Sequence, residues 1–182
     1  ITYLRDDVNS GNDYGVVNNG IKKSEYIKLM TDIDLGGSDA NQWIPIGGVG
    51  TRGQFRGIFD GNGHKITGLY INKREDYAGL FGKVDNIGGV RNLSVSGTVK
   101  GWSYAGGIVG SNNNGTIENC FSDVSVTGTG IYIGGIAGYN NSGAIKNCVN
   151  VGTVKGGSYI GSIAGSVGDF GQVDNCYYLT GT

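Results

Sequence analysis

Carboxylates in the N-terminal third are the first residues whose types and spacing could do chemistry. Asp32 and Asp34 lie two residues apart in the segment Asp32–Leu35, which alternates between polar and apolar residues as a β-strand does. Both side chains therefore face the same side, where they could bind calcium or act as an acid and a base. An outward-facing strand at the edge of a sheet produces the same pattern, and we favour that simpler interpretation.

The segment Asp60–His64, with the sequence Asp-Gly-Asn-Gly-His, begins like a calcium-binding loop. That loop requires glycine where Lys65 stands and a bidentate glutamate where Ile71 stands, so we interpret the segment as a hairpin-like turn. His64 is the one histidine of the sequence, and the sequence contains no Gly-x-Ser-x-Gly nucleophile motif. The sequence therefore predicts neither a catalytic residue nor a metal site, and it implies no cofactor.

Three cysteines, Cys120, Cys148 and Cys176, recur at intervals of 28 residues. This interval places the thiols on successive layers of a stacked structure, about 4.8 Å apart, whereas a disulfide needs Cβ atoms about 3.8 Å apart. A zinc site would also lack a nearby histidine. We therefore predict free thiols that pack as small buried side chains.

Two aromatic residues are candidates for ligand binding. Trp102 precedes the repeated tyrosine Tyr104, and the corresponding positions before the later tyrosines are Gly130 and Gly157, so the repeat does not require a large side chain there. An aromatic ring at such a turn could stack on a sugar or anchor a protein partner. Covering a neighbouring loop is the alternative role. Phe170, in a lengthened turn, is a second candidate of the same kind.

One sequence unit, repeated three times, organises the chain around these residues. Each copy begins with a tyrosine, continues through a short apolar motif flanked by small residues, and ends on Asn-Cys: Tyr104–Cys120, Tyr132–Cys148 and Tyr159–Cys176. The apolar motif occurs at four places: Gly79–Gly82, Gly107–Gly110, Gly135–Gly138 and Ser162–Gly165. A fixed period of this size is typical of stacked repeat proteins, in which each unit contacts mainly its neighbours.

Three columns of equivalent residues predict how the units stack on one another. The first contains residues that readily adopt the left-handed backbone conformation, and it predicts a bend between strands: Gly68, Asn92, Asn119, Asn147 and Asn175. The second predicts stacked aromatic rings inside the fold or at a corner: Tyr104, Tyr132 and Tyr159. The third alternates in charge, as expected if neighbouring turns pair in register: Arg91, Glu118, Lys146 and Asp174.

Together these features predict an all-β fold, a single-stranded parallel β-helix with about 28 residues in each turn. Apolar residues in the segment 1–10 are spaced as in an α-helix, so we predict a short N-terminal helix. One continuous domain is expected, with a cap and the first turns in residues 1–54 and the β-helical repeats in residues 55–182. The final strand, from Tyr177 to Thr180, shows no cap, and we expect the chain to continue in the full protein.

Composition and charge argue against two classes of function. The formal net charge of −1 gives no electrostatic reason to expect binding to nucleic acid or to an anionic membrane surface. The sequence contains no apolar run of about 18 residues, so no membrane insertion is predicted.

The repeats resemble the GLUG-repeat family, named for a glycine–large apolar–glycine motif such as Gly79–Gly82. The resemblance covers most of the chain, including the Asn-Cys repeats and three further segments: Lys28–Leu35, Trp43–Gly47 and Gly57–His64. Departures are Gly68, where asparagine is usual, and Ser162 in place of glycine. The family occurs in large secreted or wall-attached bacterial proteins, including candidate adhesins and regions of immunoglobulin A proteases outside the zinc domain. The resemblance implies a right-handed, extracellular β-helical module and supplies no catalytic residue.

The leading functional hypothesis is a non-catalytic repeat module of a larger bacterial protein, secreted or at the cell surface, that serves as a stalk or an adhesive surface. Its expected partners are a host glycan or protein and further domains of the same polypeptide. The alternative is a polysaccharide-acting lyase or glycosidase on a β-helical scaffold. That alternative rests on analogy of fold and needs clustered carboxylates, which a column of alternating charge does not provide. A spacer without a ligand is a third interpretation.

Overall fold

The structure, a computed structural model, describes residues 1–10, 17–18, 21–22, 26–48 and 53–179. The chain winds into a parallel β-helix of about five turns with about 28 residues in each. The described residues contain one short helix, α1 (Thr2–Asn9). The predicted all-β fold and the predicted N-terminal helix are both confirmed.

Three parallel sheets form the walls of the β-helix. Sheet 1 has six strands: β3 (Tyr26–Lys28), β5 (Ile58–Asp60), β8 (Gly89–Arg91), β12 (Thr116–Glu118), β15 (Ala144–Lys146) and β19 (Gln172–Asp174). Sheet 2 has eight strands: β4 (Ile33–Asp34), β6 (Lys65–Asn72), β9 (Ser94–Gly101), β10 (Ala105–Gly106), β13 (Phe121–Gly134), β16 (Val149–Asn150), β17 (Val154–Gly161) and β20 (Tyr177–Tyr178). Sheet 3 has four strands: β7 (Phe81–Asp85), β11 (Val109–Asn113), β14 (Ala137–Asn140) and β18 (Ala164–Val167). A separate antiparallel pair precedes them: β1 (Val17–Asn18) and β2 (Ile21–Lys22).

The backbone pairing between turns follows the sequence repeat. In sheet 1, Ala144 of β15 pairs with Thr116 of β12 on one side and with Gln172 of β19 on the other. In sheet 3, however, Asn140 pairs with Val167, so the last turn gains one residue between β18 and β19. The lengthened corner predicted from the sequence is therefore confirmed. Thr180, the expected end of the last strand, lies outside the described residues.

Helix α1 packs onto the first turn of the β-helix. Leu4 and Val8, one turn apart on the helix, are both buried in the core. At the end of the helix, Asn9 Nδ2 donates to the Pro45 carbonyl oxygen at 3.0 Å, and Asn9 Oδ1 accepts from the Gly47 amide at 2.7 Å. These two hydrogen bonds fix the helix to the corner that precedes the second turn.

The large apolar residue of the repeated motif is buried in each turn that carries it. These residues are Leu80, Ile108, Ile136 and Ile163. Each contributes about 1.5–3 kcal/mol to stability by leaving water. Toward the N-terminal end, the core widens to hold the rings of Phe55, Phe59 and Phe81, whose centroids lie 4.9 and 5.5 Å apart in successive pairs.

The three cysteines are free, as predicted, and they stack inside the wall. Cys120 and Cys148 are buried, and Cys176, in the last turn, is half-buried. The Cys120 thiol donates to the Glu118 carbonyl oxygen at 3.2 Å. Its contact with Cys148, together with its burial, raises the pKa of the Cys120 thiol. A buried thiol held in the protonated form is a packing group rather than a nucleophile.

The asparagine column forms the bend between sheet 1 and sheet 2. All four asparagines have the left-handed φ that was predicted, between 49° and 53°: Asn92, Asn119, Asn147 and Asn175. Their side chains also form a ladder, because each Nδ2 donates to the Oδ1 of the asparagine one turn below, at 2.6 to 3.2 Å. The column therefore fixes both the backbone bend and the contact between turns.

Two predictions about the earlier corner were wrong. Gly68 lies in a bulge of β6, between Ile66 and Leu69, and not in the asparagine column. The true counterpart is the corner Gly61–His64, which has two more residues than its successors, and there Asn62 takes the left-handed φ of 53°. This corner is also no hairpin: the strands that flank it, β5 and β6, belong to different sheets and do not pair with each other.

Substitution of Asn119 can separate the two roles of the asparagine column. Asn119→Gly keeps the left-handed backbone accessible and removes only the amide ladder, whereas Asn119→Ala loses both. We expect the alanine variant to be less stable than the glycine variant by about 1 kcal/mol. Urea unfolding followed by circular dichroism measures the difference. Equal stability of the two variants would show that the amide ladder, and not the bend, determines the choice of asparagine.

The tyrosine column stacks at a corner, and Tyr77 extends it by one turn. Ring centroids of successive members, Tyr77, Tyr104, Tyr132 and Tyr159, lie 4.7 to 5.2 Å apart. All four tyrosines have a positive φ, between 54° and 62°, so the chain bends at each of them. The prediction of a stacked aromatic column at a corner is confirmed.

The column of alternating charge is also in register. Backbone pairing joins Arg91 to Glu118, Glu118 to Lys146 and Lys146 to Asp174. The column begins one turn earlier than predicted, because Asp60 of β5 pairs with Arg91. Arg91 forms ion pairs with Asp60 at 3.2 Å and with Glu118 at 3.9 Å. Opposite charges therefore face each other between turns.

Candidate functional site

Trp102 lies directly after β9, where the chain bends before β10. Its amide donates to the Glu75 carbonyl oxygen of the previous turn at 2.8 Å, and its carbonyl oxygen accepts from the Gly130 amide of the next turn at 2.9 Å. Trp102 is 43% exposed. The backbone is therefore fixed on both sides while much of the indole remains in solvent.

The next turn leaves room for the indole because it carries glycine at the equivalent position. A Cβ atom on Gly130 would lie 2.1 Å from Ser103 Oγ and 2.9 Å from Trp102 Cδ1. From the previous turn, the Arg74 guanidinium lies over the indole, with Cζ 5.5 Å from the ring centroid. This cation–π contact uses part of the ring and holds Arg74 beside it.

An open groove of about 540 Å³ adjoins this corner. The described residues that line it are polar, basic or small: Asn72, Lys73, Arg74, Lys100, Gly101, Thr127 and Thr129. Three of them are cations and none is a carboxylate. The groove can therefore offer positive charge, hydroxyl groups and an amide to a ligand.

Register between turns brings these lining residues together. Lys100 of β9 pairs with Asn72 of β6 below it and with Thr127 of β13 above it. Thr127 pairs in turn with Lys155 of β17. Since these strands alternate between buried and exposed residues, the four side chains share the outer face of sheet 2.

Carboxylates near the groove are engaged in hydrogen bonds. Asp39 Oδ1 accepts from the Tyr70 hydroxyl at 2.7 Å and from Asn72 Nδ2 at 3.1 Å. The Tyr70 bond, the Asn72 bond and the charge of Lys100 lower the pKa of Asp39. Asp76 Oδ1 accepts from the Ser103 amide at 3.1 Å.

Phe170, the second predicted ligand-binding residue, lies at a different corner. It is 80% exposed and stands in the lengthened connection between β18 of sheet 3 and β19 of sheet 1. Trp102, by contrast, lies between β9 and β10 of sheet 2. The structure therefore does not bring the two aromatic residues into one site, and a binding role for each stays a prediction.

The acidic residues considered for catalysis have separate structural partners. Asp32 Oδ1 accepts from the Lys65 amide at 3.0 Å and lies 2.9 Å from His64 Nδ1, and these two contacts lower the pKa of Asp32. Asp34 Oδ1 accepts from the Gly36 amide at 2.9 Å. The two carboxylates thus close local bends and do not face a common ligand.

The described part of the chain offers no metal centre of the usual kind, since it contains no group of three or more histidine, cysteine or acidic side chains that could hold an ion. Within the same residues, no helix is both long enough and apolar enough to cross a bilayer.

The basic residues of the groove were not singled out by the sequence. Lys73, Arg74 and Lys100 do not belong to a repeated column, so a search for equal residues at equal intervals passes over them. Alignment of whole turns would have revealed them, because the pairing of Asn72 with Lys100 and of Lys100 with Thr127 follows the same period as the cysteines.

Comparison with known families identifies the repeat. Residues 103–127 match the family described as "The GLUG motif". The resemblance is therefore confirmed over this stretch. It runs from the corner after Trp102 through β13 to Thr127, which lines the groove.

Two curated relatives share part of the sequence. A candidate Gly-rich membrane protein of Evansella cellulosilytica is 40% identical over 113 residues, which are 57% of this chain and 12% of the relative. Halomucin of Haloquadratum walsbyi is 31% identical over 119 residues, 61% of this chain and 1% of halomucin. The chain thus corresponds to a small fraction of each of these much longer proteins.

A solved structure shares the fold. The crystal structure of a candidate immunoglobulin A1 protease from Bacteroides ovatus superposes with a TM-score of 0.61. The match covers 84% of this chain and 68% of the other, at 22% sequence identity. At that level of identity the similarity supports the β-helical architecture alone.

Proposed function

We propose that the chain is a non-catalytic repeat module of a larger bacterial surface or secreted protein and that it binds a glycan or a protein at the surface around Trp102. The β-helix supplies a rigid support, and the corner after β9 supplies the contact. The observation that carries the proposal is the exposed indole beside a polar groove, at a position where the repeat requires only glycine.

A surface location is supported by the relatives' names, since one is called a membrane protein and the other halomucin. The carboxylates provide no support for an enzyme. Asp32, Asp34 and Asp39 hold hydrogen bonds within the fold, and the charged column of sheet 1 alternates in sign, whereas glycoside hydrolysis uses two carboxylates facing one bond.

Trp102→Ala is expected to weaken binding of a glycan or protein ligand at least about tenfold, because a buried aromatic anchor commonly contributes 2 kcal/mol or more at an interface. A glycan array identifies the ligand, and isothermal titration calorimetry compares the variant with the unmodified chain. The matched control is Phe170→Ala, which removes an even more exposed aromatic residue at another corner.

Three results would contradict the proposal. Loss of binding in Phe170→Ala but not in Trp102→Ala would place the site at the wrong corner. Absence of any ligand would favour a spacer. Release of reducing sugar from a bound polysaccharide would favour the alternative, a lyase or glycosidase.

A further inference from the structure

We infer that the groove beside Trp102 binds an acidic saccharide, a chain whose sugars carry carboxylate or sulfate groups. The inference rests on the proposed binding function and names the class of ligand for the same surface. It is carried by three cations, two hydroxyl groups and one amide that line a single open groove.

Positive charge reaches the groove from two consecutive turns. Lys73 and Arg74 follow β6, and Lys100 lies at the end of β9. The Lys73 amide donates to the Lys100 carbonyl oxygen at 3.1 Å, which holds the two segments side by side. All three side chains are exposed, so an anionic ligand can reach them without the cost of burying an unpaired charge.

Arg74 is the cation best suited to a planar anion. Its guanidinium can donate two parallel hydrogen bonds to a carboxylate or to two oxygens of a sulfate. The Trp102 indole beneath it restricts its movement, and a side chain held in place loses less entropy when a ligand binds. Trp102 therefore acts in part as a positioning residue for Arg74.

The neutral polar groups of the groove suit a saccharide rather than a simple ion. Thr127 and Thr129 alternate outward along β13, and Asn72 lies beside them. Hydroxyl and amide groups both donate and accept hydrogen bonds, as the hydroxyls of a sugar require. Lys155, paired with Thr127 one turn further along, continues the surface. Because neighbouring strands are about 4.8 Å apart, a chain lying along the axis would meet Lys100 and then Lys155 two turns later.

A single-stranded nucleic acid is also anionic and also stacks on aromatic residues, but the surface fits it less well. Such proteins combine a basic groove with several rings on which successive bases stack. The groove described here has one adjoining indole, which already carries Arg74, and the chain has a net charge of −1. A nucleic acid therefore serves as a competing ligand in the test.

The test measures binding of four probes to the 182-residue chain by isothermal titration calorimetry. These are a uronic acid oligomer, the same oligomer after reduction of its carboxyl groups, a sulfated oligosaccharide and an oligodeoxythymidine. The variants are Lys100→Gln, Arg74→Gln, their combination, and Lys28→Gln as a matched loss of an exposed lysine on sheet 1. Circular dichroism verifies that each variant is folded.

We expect an acidic oligosaccharide to bind and its affinity to fall with added salt. Each single groove variant should weaken binding about threefold and the double variant about tenfold, while Lys28→Gln leaves it unchanged. Preference between the uronate and the sulfated probe then identifies the anion.

Other outcomes overturn the inference in distinguishable ways. Equal binding of the reduced, neutral oligomer, with Trp102 required, would leave the proposed function standing and exclude the acidic class. Tighter binding of the oligodeoxythymidine would assign the groove to nucleic acid. Binding of none of the probes, together with no Trp102-dependent ligand on the array, would contradict both proposals.

Discussion

Gly134→Ala is expected to lower the free energy of unfolding by about 3 kcal/mol. A Cβ atom at Gly134 would lie 2.0 Å from the Ala137 carbonyl oxygen and 2.7 Å from the Gly165 amide nitrogen. Neither is the end of a flexible side chain, so the backbone of two turns must move. The equivalent glycines, Gly106 and Gly161, would meet the carbonyl oxygen three residues ahead at 2.2 and 1.9 Å. The glycine is thus required by close approach of the backbone in each of these turns.

Gly89→Ala is the matched control for this prediction. In the same column, the next three turns carry Thr116, Ala144 and Gln172, so the fold accepts side chains there. The closest atom to a new Cβ is the Thr116 carbonyl oxygen at 3.0 Å, and we expect a change of less than about 1 kcal/mol. The midpoints of urea unfolding compare both variants with the unmodified chain. Similar midpoints for Gly134→Ala and Gly89→Ala would contradict the steric explanation.

Asp60→Asn is expected to destabilise the protein by about 3 kcal/mol at neutral pH, because it removes one partner of a buried ion pair. Asp60 is 6% exposed. It accepts hydrogen bonds from the Tyr26 hydroxyl, the Asn62 amide at 2.8 Å, Asn92 Nδ2 at 3.0 Å and Arg91 Nε at 3.2 Å. These donors come from three consecutive turns, so one carboxylate connects them.

The contribution of Asp60 depends on pH in a defined direction. Burial alone would raise the pKa of Asp60, but the bonds from Tyr26, Asn92 and Asn62, with the charge of Arg91, outweigh burial and hold the pKa well below its usual range. A carboxylate whose pKa is lower in the folded state contributes stability above its unfolded pKa, about 3.9, and loses that contribution as the pH falls below it. The stability difference between the unmodified chain and Asp60→Asn should therefore shrink below about pH 4.

Urea unfolding at a series of pH values measures this effect, and Glu118→Gln is the control. Glu118 also pairs with Arg91, but at 3.9 Å and with 35% of its side chain exposed, so its loss should cost less than about 1 kcal/mol. A stability difference for Asp60→Asn that does not change with pH would show that packing, and not the charge of Asp60, determines its effect.

The repeated columns could be predicted because equal residues at equal intervals become neighbours in a β-helix. The asparagine ladder, the free cysteines and the alternating charges all follow from this rule. It failed where the interval changes: the corner Gly61–His64 has two extra residues, so counting back from Asn92 reached Gly68 instead of Asn62.

Contacts that occur in only one or two turns also escaped prediction. Asn112 and Asn140 are both buried, and Asn112 Nδ2 donates to Asn140 Oδ1 at 2.9 Å. The neighbouring turns place Val84 and Val167 at this position, so no polar column is visible in the sequence. The bond from Tyr26 to Asp60 likewise joins single residues of two turns. The groove beside Trp102 belongs to the same class, since its cations differ from turn to turn.

The alternating charges of sheet 1 bear on how a gene for such a protein can change in length. Loss of one repeat by recombination would bring Arg91 against Lys146, two like charges on adjacent strands, whereas loss of two repeats would bring Arg91 against Asp174 and restore an opposite pair. Shortening or lengthening in even steps is therefore the electrostatically tolerated route of evolution for this wall.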